Sequence, residues 1–208
     1  MILIGNIVEE IRIKLQAYFD AVGRDPNPPD GVGGTGLPDN VVLGNVSLVD
    51  AFNAGDPNIQ DNLVISLVSI EEEKTLRYTK ISTVIPAANP NDSRVVNHNP
   101  VVFLNIYLLF SSHNRDYKAS LNQLSAVVNF FQRQQVYSGS EINSPTLDQL
   151  VFELVTTNFE QMNHLWGVLG GKYIPSALYK VRLLPHEDIP ALEGSGRILR
   201  ERANSNAV

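Results

Sequence analysis

The chain has 208 residues, no cysteine and a formal net charge of −6, from 22 acidic side chains and 16 lysines and arginines. Nucleic acids and anionic membranes are bound through basic surfaces that displace counterions, so this charge argues against both as general partners. The lack of cysteine excludes disulfides, thiolate catalysis and zinc–thiolate sites.

An amphipathic helix is predicted at the beginning of the chain, because apolar residues recur there with helical spacing. These residues are Ile4, Ile7, Val8, Ile11, Leu15, Tyr18, Phe19 and Val22. Glu9 and Glu10 interrupt the apolar run and no basic region precedes it, so we expect no signal peptide and a soluble protein made in the cytoplasm. Gly23 is predicted to end the helix. Residues 24–40 contain four prolines and four glycines, which predicts a long mobile loop.

Two strands are predicted after this loop. Residues 41–49 form the first, with Gly44 as a bulge. Residues 62–70 form the second, and they are apolar on both faces, which indicates a central position in a sheet. The second strand could continue through Leu76 and Tyr78.

A second loop rich in proline and asparagine is predicted over residues 85–100. The clearest strand of the chain follows over residues 101–111, in which Asn105 is the one polar residue before the end. The residues expected on one face of this strand are Val102, Leu104, Ile106, Leu108 and Phe110.

Asp116 is predicted to cap a helix, because its carboxylate can accept hydrogen bonds from the first free amides. The apolar stripe of this helix is expected to contain Leu121, Leu124, Val128 and Phe131, widened by Val127 and Phe130. Residues 147–157 alternate weakly and suit either a strand or a helix. We favour a strand because valine, phenylalanine and threonine are common in this stretch.

The window from residue 158 to residue 184 predicts a capped helix followed by a strand. Asn158 and Gln161 have the spacing of a capping box. The apolar stripe predicted for this helix consists of Phe159, Met162, Leu165, Trp166 and Leu169, with Trp166 in the core. Gly170 and Gly171 are expected to end the helix. The strand after Pro175 is expected to alternate Tyr179, Val181 and Leu183 with Lys180 and Arg182.

These elements predict an α+β fold, a mixed β-sheet flanked by helices. We expect one domain over residues 1–185, including the mobile loop at residues 24–40. Residues 186–208 turn polar and are predicted to form a flexible C-terminal tail.

No pattern in the chain points to catalysis, a cofactor or a metal. Gly31, Gly33 and Gly36 match a dinucleotide-binding spacing, but prolines precede and follow them, and neither a strand nor a helix adjoins them. The histidines show no metal-ligand spacing; they are His98, His113, His164 and His186. The one G-S-G, at residues 194–196, lies in the expected tail, where no preorganised nucleophile can form. We therefore predict that the protein is not an enzyme and has no cofactor.

Charged residues near strand ends are candidates for contacts between subunits. Glu71 and Glu73 lie two residues apart, so a strand would place both on one face, and a solvated strand end is the simpler interpretation. Carboxylates there could instead meet Arg77, Arg182 or a tail arginine of a neighbouring copy. On the strand after Pro175, Lys180 can also contact a partner.

The expected tail contains a small amphipathic patch, in which Ile198 and Leu199 are flanked by Arg197, Arg200 and Arg202. The patch suits either a disordered end or an arm that orders on a partner. The assembly-interface residues predicted from the chain are therefore Glu71, Glu73, Arg77, Lys180, Arg182, Arg197, Arg200 and Arg202.

The chain resembles the cap, or tube-terminator, proteins of extracellular contractile injection systems of the antifeeding-prophage type, which are phage-tail-like particles. The resemblance covers most of residues 1–184, and residues 24–40 and the tail after Pro185 lie outside it. It rests on four blocks in order: Asn62-Leu63 through Leu67-Val68-Ser69-Ile70-Glu71-Glu72-Glu73; Pro100 through Leu104-Asn105-Ile106-Tyr107-Leu108-Leu109-Phe110; Tyr117 to Leu121 with Asn129-Phe130-Phe131-Gln132; and Leu165-Trp166 through Gly170-Gly171-Lys172-Tyr173-Ile174-Pro175 to Val181-Arg182.

The resemblance implies a tail-terminator-like fold and a structural role. Members of this family are similar to terminators that form a homohexameric ring on the last ring of the inner tube and also meet the distal end of the sheath. The implied partners are further copies of the chain, the inner tube protein and the sheath protein. The implied location is the cytoplasm during assembly and then a released or cell-associated particle.

Two other classes of function stay open. The protein could be an adaptor or cargo-binding module of the same particle, which would copurify with a toxin rather than with tube and sheath subunits. A small hydrolase that uses His164 or His113 is disfavoured because the expected motifs are missing.

Overall fold

The structure is a computed structural model, which describes residues 3–24, 40–48, 61–73, 82–85, 94–97, 102–170 and 173–185. Its helices are α1 (Ile4–Arg24), α2 (Tyr117–Arg133) and α3 (Phe159–Val168), with a short 3₁₀ turn at Val46–Leu48. Its strands are β1 (Val41–Leu43), β2 (Leu63–Glu72), β3 (Ser82–Ile85), β4 (Arg94–Asn97), β5 (Leu104–Ser112), β6 (Val136–Ser138), β7 (Leu147–Leu154) and β8 (Ser176–Pro185). Residues 186–208 lie outside the described residues, so the predicted tail stays a prediction.

Six strands form one sheet in the order β1-β2-β5-β8-β7-β6. The β1–β2 pair is parallel and the other neighbouring pairs are antiparallel. The predicted α+β fold with a mixed sheet is confirmed, and β2 occupies the interior position expected for it. A separate antiparallel pair joins β3 to β4. Strand β4 lies within the loop predicted over residues 85–100, so that prediction was wrong for residues 94–97 and for Ile85, the last residue of β3.

The main core lies between one face of the sheet, here called the inner face, and helices α1 and α2. Strand β5 contributes Ile106, Leu108 and Phe110 to it, and β8 contributes Tyr179, Val181 and Leu183. The shared face predicted for Ile106, Leu108 and Phe110 of β5 and the alternation predicted for β8 are confirmed by this burial. The core residues of the helices are Ile7, Val8, Ile11, Leu15, Phe19, Ala126, Val127 and Phe131. A smaller cluster on the opposite, outer face joins Trp166 of α3 to Val46, Val64 and Leu109.

Two helix starts follow local rules that the sequence alone specifies. The Asp116 carboxylate accepts a hydrogen bond from the Lys118 amide at 3.0 Å. Asn158 and Gln161 form the predicted capping box, in which the Gln161 amide donates to Asn158 Oδ1 at 2.8 Å and the Asn158 amide donates to Gln161 Oε1 at 3.1 Å. Each cap satisfies amides that have no partner within the helix.

The strand predicted over residues 41–49 is much shorter in the structure. It ends at Leu43, because the hydroxyl of Ser66 on β2 donates to the Gly44 carbonyl at 2.7 Å and accepts from the Val46 amide at 3.3 Å. These bonds turn the chain away from the sheet edge into the 3₁₀ turn. Gly23 likewise does not end α1, which continues to Arg24.

The stripes predicted for α2 and α3 were partly wrong. On α2 the buried residues are Ala119, Ser120, Gln123, Ala126, Val127 and Phe131, whereas Leu121 is 44% exposed. On α3 the side chain of Phe159 is 94% exposed, and only Trp166 is fully buried. Val102 was expected to share a face with the buried residues of β5, but it precedes the strand and is 50% exposed. Periodicity alone cannot tell which apolar residues meet another element.

Two buried tyrosines give the fold a predicted dependence on alkaline pH. Burial raises the pKa of Tyr137 and of Tyr179 to about 12 each, and the nearby Glu141 carboxylate adds to the effect on Tyr137. Unfolded tyrosine titrates near pH 10, so above that pH the unfolded chain releases protons that the folded chain keeps. The free energy of unfolding should therefore be intact below about pH 10 and should fall between about pH 10 and pH 12.

Urea denaturation at pH 9 and pH 11.5 would measure this loss. The matched control is the Tyr137→Phe/Tyr179→Phe double variant, in which part of the alkaline loss should disappear because phenylalanine has no proton to release. An equal loss in the two proteins would contradict the assignment to these hydroxyls.

Candidate assembly surface

The outer face of the sheet is divided into two halves. One half is covered by α3 and the 3₁₀ turn, which pack through the cluster around Trp166. The other half carries polar side chains from four neighbouring strands, here called the outer ladder. The outer ladder consists of Glu71 and Glu73 at the end of β2, Asn105 and Tyr107 on β5, Lys180 and Arg182 on β8, and Glu153 on β7.

Strand register brings the side chains of the outer ladder into contact. Asn105 is paired with Arg182 across the β5–β8 ladder, and Tyr107 is paired with Lys180. Their alternation with Ile106 and Leu108 keeps them on the outer face, since successive side chains of a strand point to opposite faces. The sheet thus aligns residues that lie far apart in the chain.

Hydrogen bonds and ion pairs run across the ladder. The Tyr107 hydroxyl donates to Glu71 Oε2 at 2.9 Å, and Asn105 Nδ2 donates to Glu73 Oε2 at 2.9 Å. Lys180 Nζ lies 3.6 Å from the same Glu73 oxygen, and Arg182 pairs with Glu153. Burial raises the pKa of Tyr107, and its hydrogen bond to the Glu71 carboxylate adds to the shift.

The ion pairs of the ladder are too exposed to contribute much to stability. The side chains of Lys180 and Glu73 are 24% and 17% exposed, and those of Arg182 and Glu153 are 38% and 42% exposed. Pairs of this kind contribute about 0–1 kcal/mol, because water screens them and ordering long side chains costs entropy. A solvated polar face of this kind is usual for an antiparallel sheet.

Two buried polar atoms of the ladder have no hydrogen-bond partner among the described residues. They are Asn105 Oδ1, an acceptor, and Arg182 Nε, a donor. A buried group without a partner costs roughly 1–3 kcal/mol, so these two atoms are an unfavourable feature of the ladder.

Four of the predicted interface residues meet in the outer ladder: Glu71, Glu73, Lys180 and Arg182. The shared face predicted for Glu71 and Glu73 agrees with these contacts. Glu73 pairs with Lys180 of the same chain, and Arg182 pairs with Glu153, a residue that the sequence analysis did not select. The other predicted interface residues, Arg77, Arg197, Arg200 and Arg202, lie outside the described residues.

Sequence reasoning missed Tyr107 and Glu153 as members of this surface. For Tyr107 a signal existed, because it lies two residues after the polar Asn105 in an apolar strand. For Glu153 no local signal existed, since its position opposite Lys180 depends on the pairing of β7 with β8.

The described residues hold no cluster of three His, Cys, Asp or Glu side chains that could bind a metal ion. Among them, no helix has the length and apolarity needed to cross a bilayer. That the protein has no cofactor, no nucleic-acid partner and no membrane partner stays a prediction.

A family model described as the Pvc16 N-terminal domain matches residues 7–199 of the chain. The match spans residues 24–40 and continues past Pro185, so it extends beyond the four blocks on which the resemblance was based. No curated protein matches the chain significantly.

The solved structures that are similar to the chain include the following two. One is the sheath/tube terminator of PVC, an extracellular contractile injection system, in its extended state. It has 14% sequence identity and a TM-score of 0.55, over 100% of this chain and 66% of that one. The other is the tube-terminating cap of the anti-feeding prophage, with 17% identity and a TM-score of 0.40, over 79% of this chain and 57% of that one. The chain thus spans less than two thirds of the length of either protein, and the first likeness shows a common fold.

Proposed function

Because the chain belongs to the Pvc16 N-terminal domain family, we propose that it is a structural cap of a contractile injection particle. In this proposal it forms a ring that terminates the inner tube and contacts the distal end of the sheath. The observation that carries the proposal is the family match over residues 7–199, supported by a fold that resembles a sheath/tube terminator along the whole chain.

The outer ladder supplies a surface suited to contacts between copies in the ring. It carries three carboxylates against two cations, and the side chains of its ion pairs are partly exposed. In a closed ring each copy presents one surface to the next copy and a different surface to the previous one. We therefore propose a homohexamer in which the outer ladder meets a surface that offers both donors and acceptors.

The proposed partners beyond the ring are the inner tube protein, on the axial face, and the sheath protein. Neither partnership relies on catalysis, which agrees with the lack of an enzyme motif in the sequence. The proposed location is the cytoplasm during assembly, followed by the particle itself.

Charge reversal in the outer ladder tests its role in assembly. In the Lys180→Glu/Arg182→Glu variant, five carboxylates would share the surface and repel one another. We therefore expect the oligomer population to fall at least about tenfold, which corresponds to about 1.4 kcal/mol in the free energy of association. Mass photometry measures the oligomer, and electron microscopy shows whether the protein binds tube ends. Thermal unfolding should change little, because the native ion pairs are partly exposed.

The matched control is the Arg115→Glu/Lys118→Glu variant. It makes the same change of charge at two exposed positions near the start of α2, away from the ladder. We expect it to assemble normally, since acidic side chains are favourable near a helix N-terminus. If both variants assemble like the unchanged chain, the ladder is not the interface. A strictly monomeric protein that also fails to bind tube ends would refute the cap proposal itself.

A further inference from the structure

An apolar groove of about 800 Å³ lies between α2 and α3, where β7 ends. Most of its lining residues are apolar, and they include Leu121, Leu124, Val128, Leu154, Val155 and Trp166. The polar lining residues include Ser125, Asn129, Gln132 and Thr156, and none of the described lining residues is charged. A groove of this size and character suits apolar side chains of a binding partner.

Apolar side chains remain accessible in the groove. Leu121 and Leu154 are 44% and 54% exposed, although both belong to regular elements. Trp166 lies beneath them and is 5% exposed. The groove thus presents apolar surface that a second segment would remove from water.

One wall of the groove is a side of β8 with which no strand among the described residues is paired. Strand β7 pairs with β8 only as far as Leu154 and Tyr179, and one more bond runs from the Val155 amide to the Leu178 carbonyl. Ser176 and Ala177 pair with β5 on one side and line the groove on the other. An extended segment could therefore lie along β8 and place its side chains between the two helices.

We propose that this groove binds Ile198 and Leu199 of a neighbouring copy of the chain. The inference rests on the proposed ring, and it identifies a contact that would link one copy to the next. Residues 186–208, here called the tail segment, follow directly on β8, and Ile198 and Leu199 lie between arginines with no local apolar neighbour. An uncharged groove accommodates the apolar pair and leaves the arginines in solvent at its rim.

The extent of the family match supports this occupant. The match continues into the tail segment and ends at residue 199, the second residue of the apolar pair. A segment with no role in the family would not be expected to belong to its sequence pattern. The residues up to Leu199 thus belong to the sequence pattern of the family, although the last described strand ends at Pro185.

The positions of groove and tail segment suit a contact between neighbouring copies. The 13 residues from Pro185 to Ile198, about 43 Å long when extended, also reach the groove of the same copy, and the test below distinguishes the two. The groove lies at Ser176–Leu178, at the beginning of β8, whereas the tail segment leaves from Pro185 at its other end, roughly 25 Å away at about 3.3 Å per residue. Groove and tail exit thus lie at opposite ends of one strand. Different surfaces at opposite ends are what a heterologous, ring-closing contact requires.

Disulfide trapping in the full chain tests the proposal, because the native sequence contains no cysteine. The variant Leu154→Cys/Leu199→Cys has one thiol in the groove and one in the tail segment. Under mild oxidation we expect a series of disulfide-linked oligomers on a non-reducing gel. A mixture of the two single variants should give linked dimers that carry one copy of each.

The matched control is Val136→Cys/Leu199→Cys, because Val136 has a similar exposure, 45%, but lies on β6 outside the groove. It should give few linked oligomers. A disulfide within single monomers of the groove variant would overturn the proposal in favour of the same copy. No disulfide between the groove thiol and the tail thiol under conditions in which rings form would overturn it and leave the cap proposal intact.

A second measurement avoids introduced thiols. The full-length variant Ile198→Ser/Leu199→Ser should lower the oligomer population by at least about tenfold, because each buried apolar side chain contributes that much or more to association. The matched variant Ile189→Ser/Leu192→Ser changes the other apolar pair of the tail segment and should assemble normally. An equal loss in both variants would contradict the assignment to Ile198 and Leu199. Disulfide-linked oligomers that never bind tube ends would refute the cap proposal, but they would support the contact between the groove and the tail segment.

Discussion

Replacing Phe131 with alanine should lower the free energy of unfolding by about 3–5 kcal/mol. The ring is 2% exposed and lies at the junction of α2 with three strands. Its centroid is 5.3 Å from that of Phe110 on β5, 4.5 Å from that of Phe152 on β7 and 4.7 Å from that of Tyr179 on β8. These neighbours belong to a packed sheet that cannot collapse into the space left by the ring, so the loss should lie in the upper range for such changes. Urea denaturation monitored by circular dichroism would measure it.

Phe159→Ala is the matched control for this change. It removes the same ring from the first residue of α3, where the side chain is 94% exposed, and should change stability by less than about 0.5 kcal/mol. Comparable losses in the two variants would show that Phe131 does not hold α2 to the sheet as described. A loss confined to Phe131→Ala would support the described core.

Gly139→Ala should destabilise the fold by about 3 kcal/mol or more. Gly139 begins the turn between β6 and β7, and its amide donates to the Asp148 carbonyl at 2.8 Å. A Cβ at this position would overlap the carbonyl oxygen of Leu147 and would lie 2.8 Å from that of Ser144. Both obstacles are backbone atoms, so no side-chain rotation relieves the clash and the turn must open. The loss can be measured by thermal and urea unfolding.

The control for this prediction is Gly167→Ala in α3. A Cβ there meets nothing within 4 Å, and alanine favours the helix over glycine. We expect this variant to be unchanged or more stable by roughly 0.5–1 kcal/mol. If Gly139→Ala unfolds at the same urea concentration as the unchanged protein, the tight turn described here is wrong.

The proposed assembly uses two different kinds of surface. The outer ladder is polar, partly exposed and net acidic, so it suits orientation and specificity more than affinity. The groove is apolar and lies at a strand end, so it suits an anchor that buries a few side chains. A ring built from both would be oriented by charge and held by apolar contacts.

Local sequence rules predicted the elements whose causes are local. The caps at Asp116 and Asn158 depend on hydrogen bonds within three residues, and both occur as predicted. The alternation of β8 depends on side chains two residues apart, and its buried and half-buried positions alternate as predicted. The same reasoning placed Glu71 and Glu73 on one face, where both bind residues of β5.

The sequence by itself thus determined the helix caps, the strand alternation and the fold class, because each follows from interactions between near neighbours in the chain. Only the tertiary structure decided that Leu121 lines an open groove while Val127 enters the core. It also decided that Glu153 lies beside Arg182, because strand register is set by pairing between distant segments. Both candidate surfaces depend on those distant pairings, which is why only part of each could be predicted from the sequence.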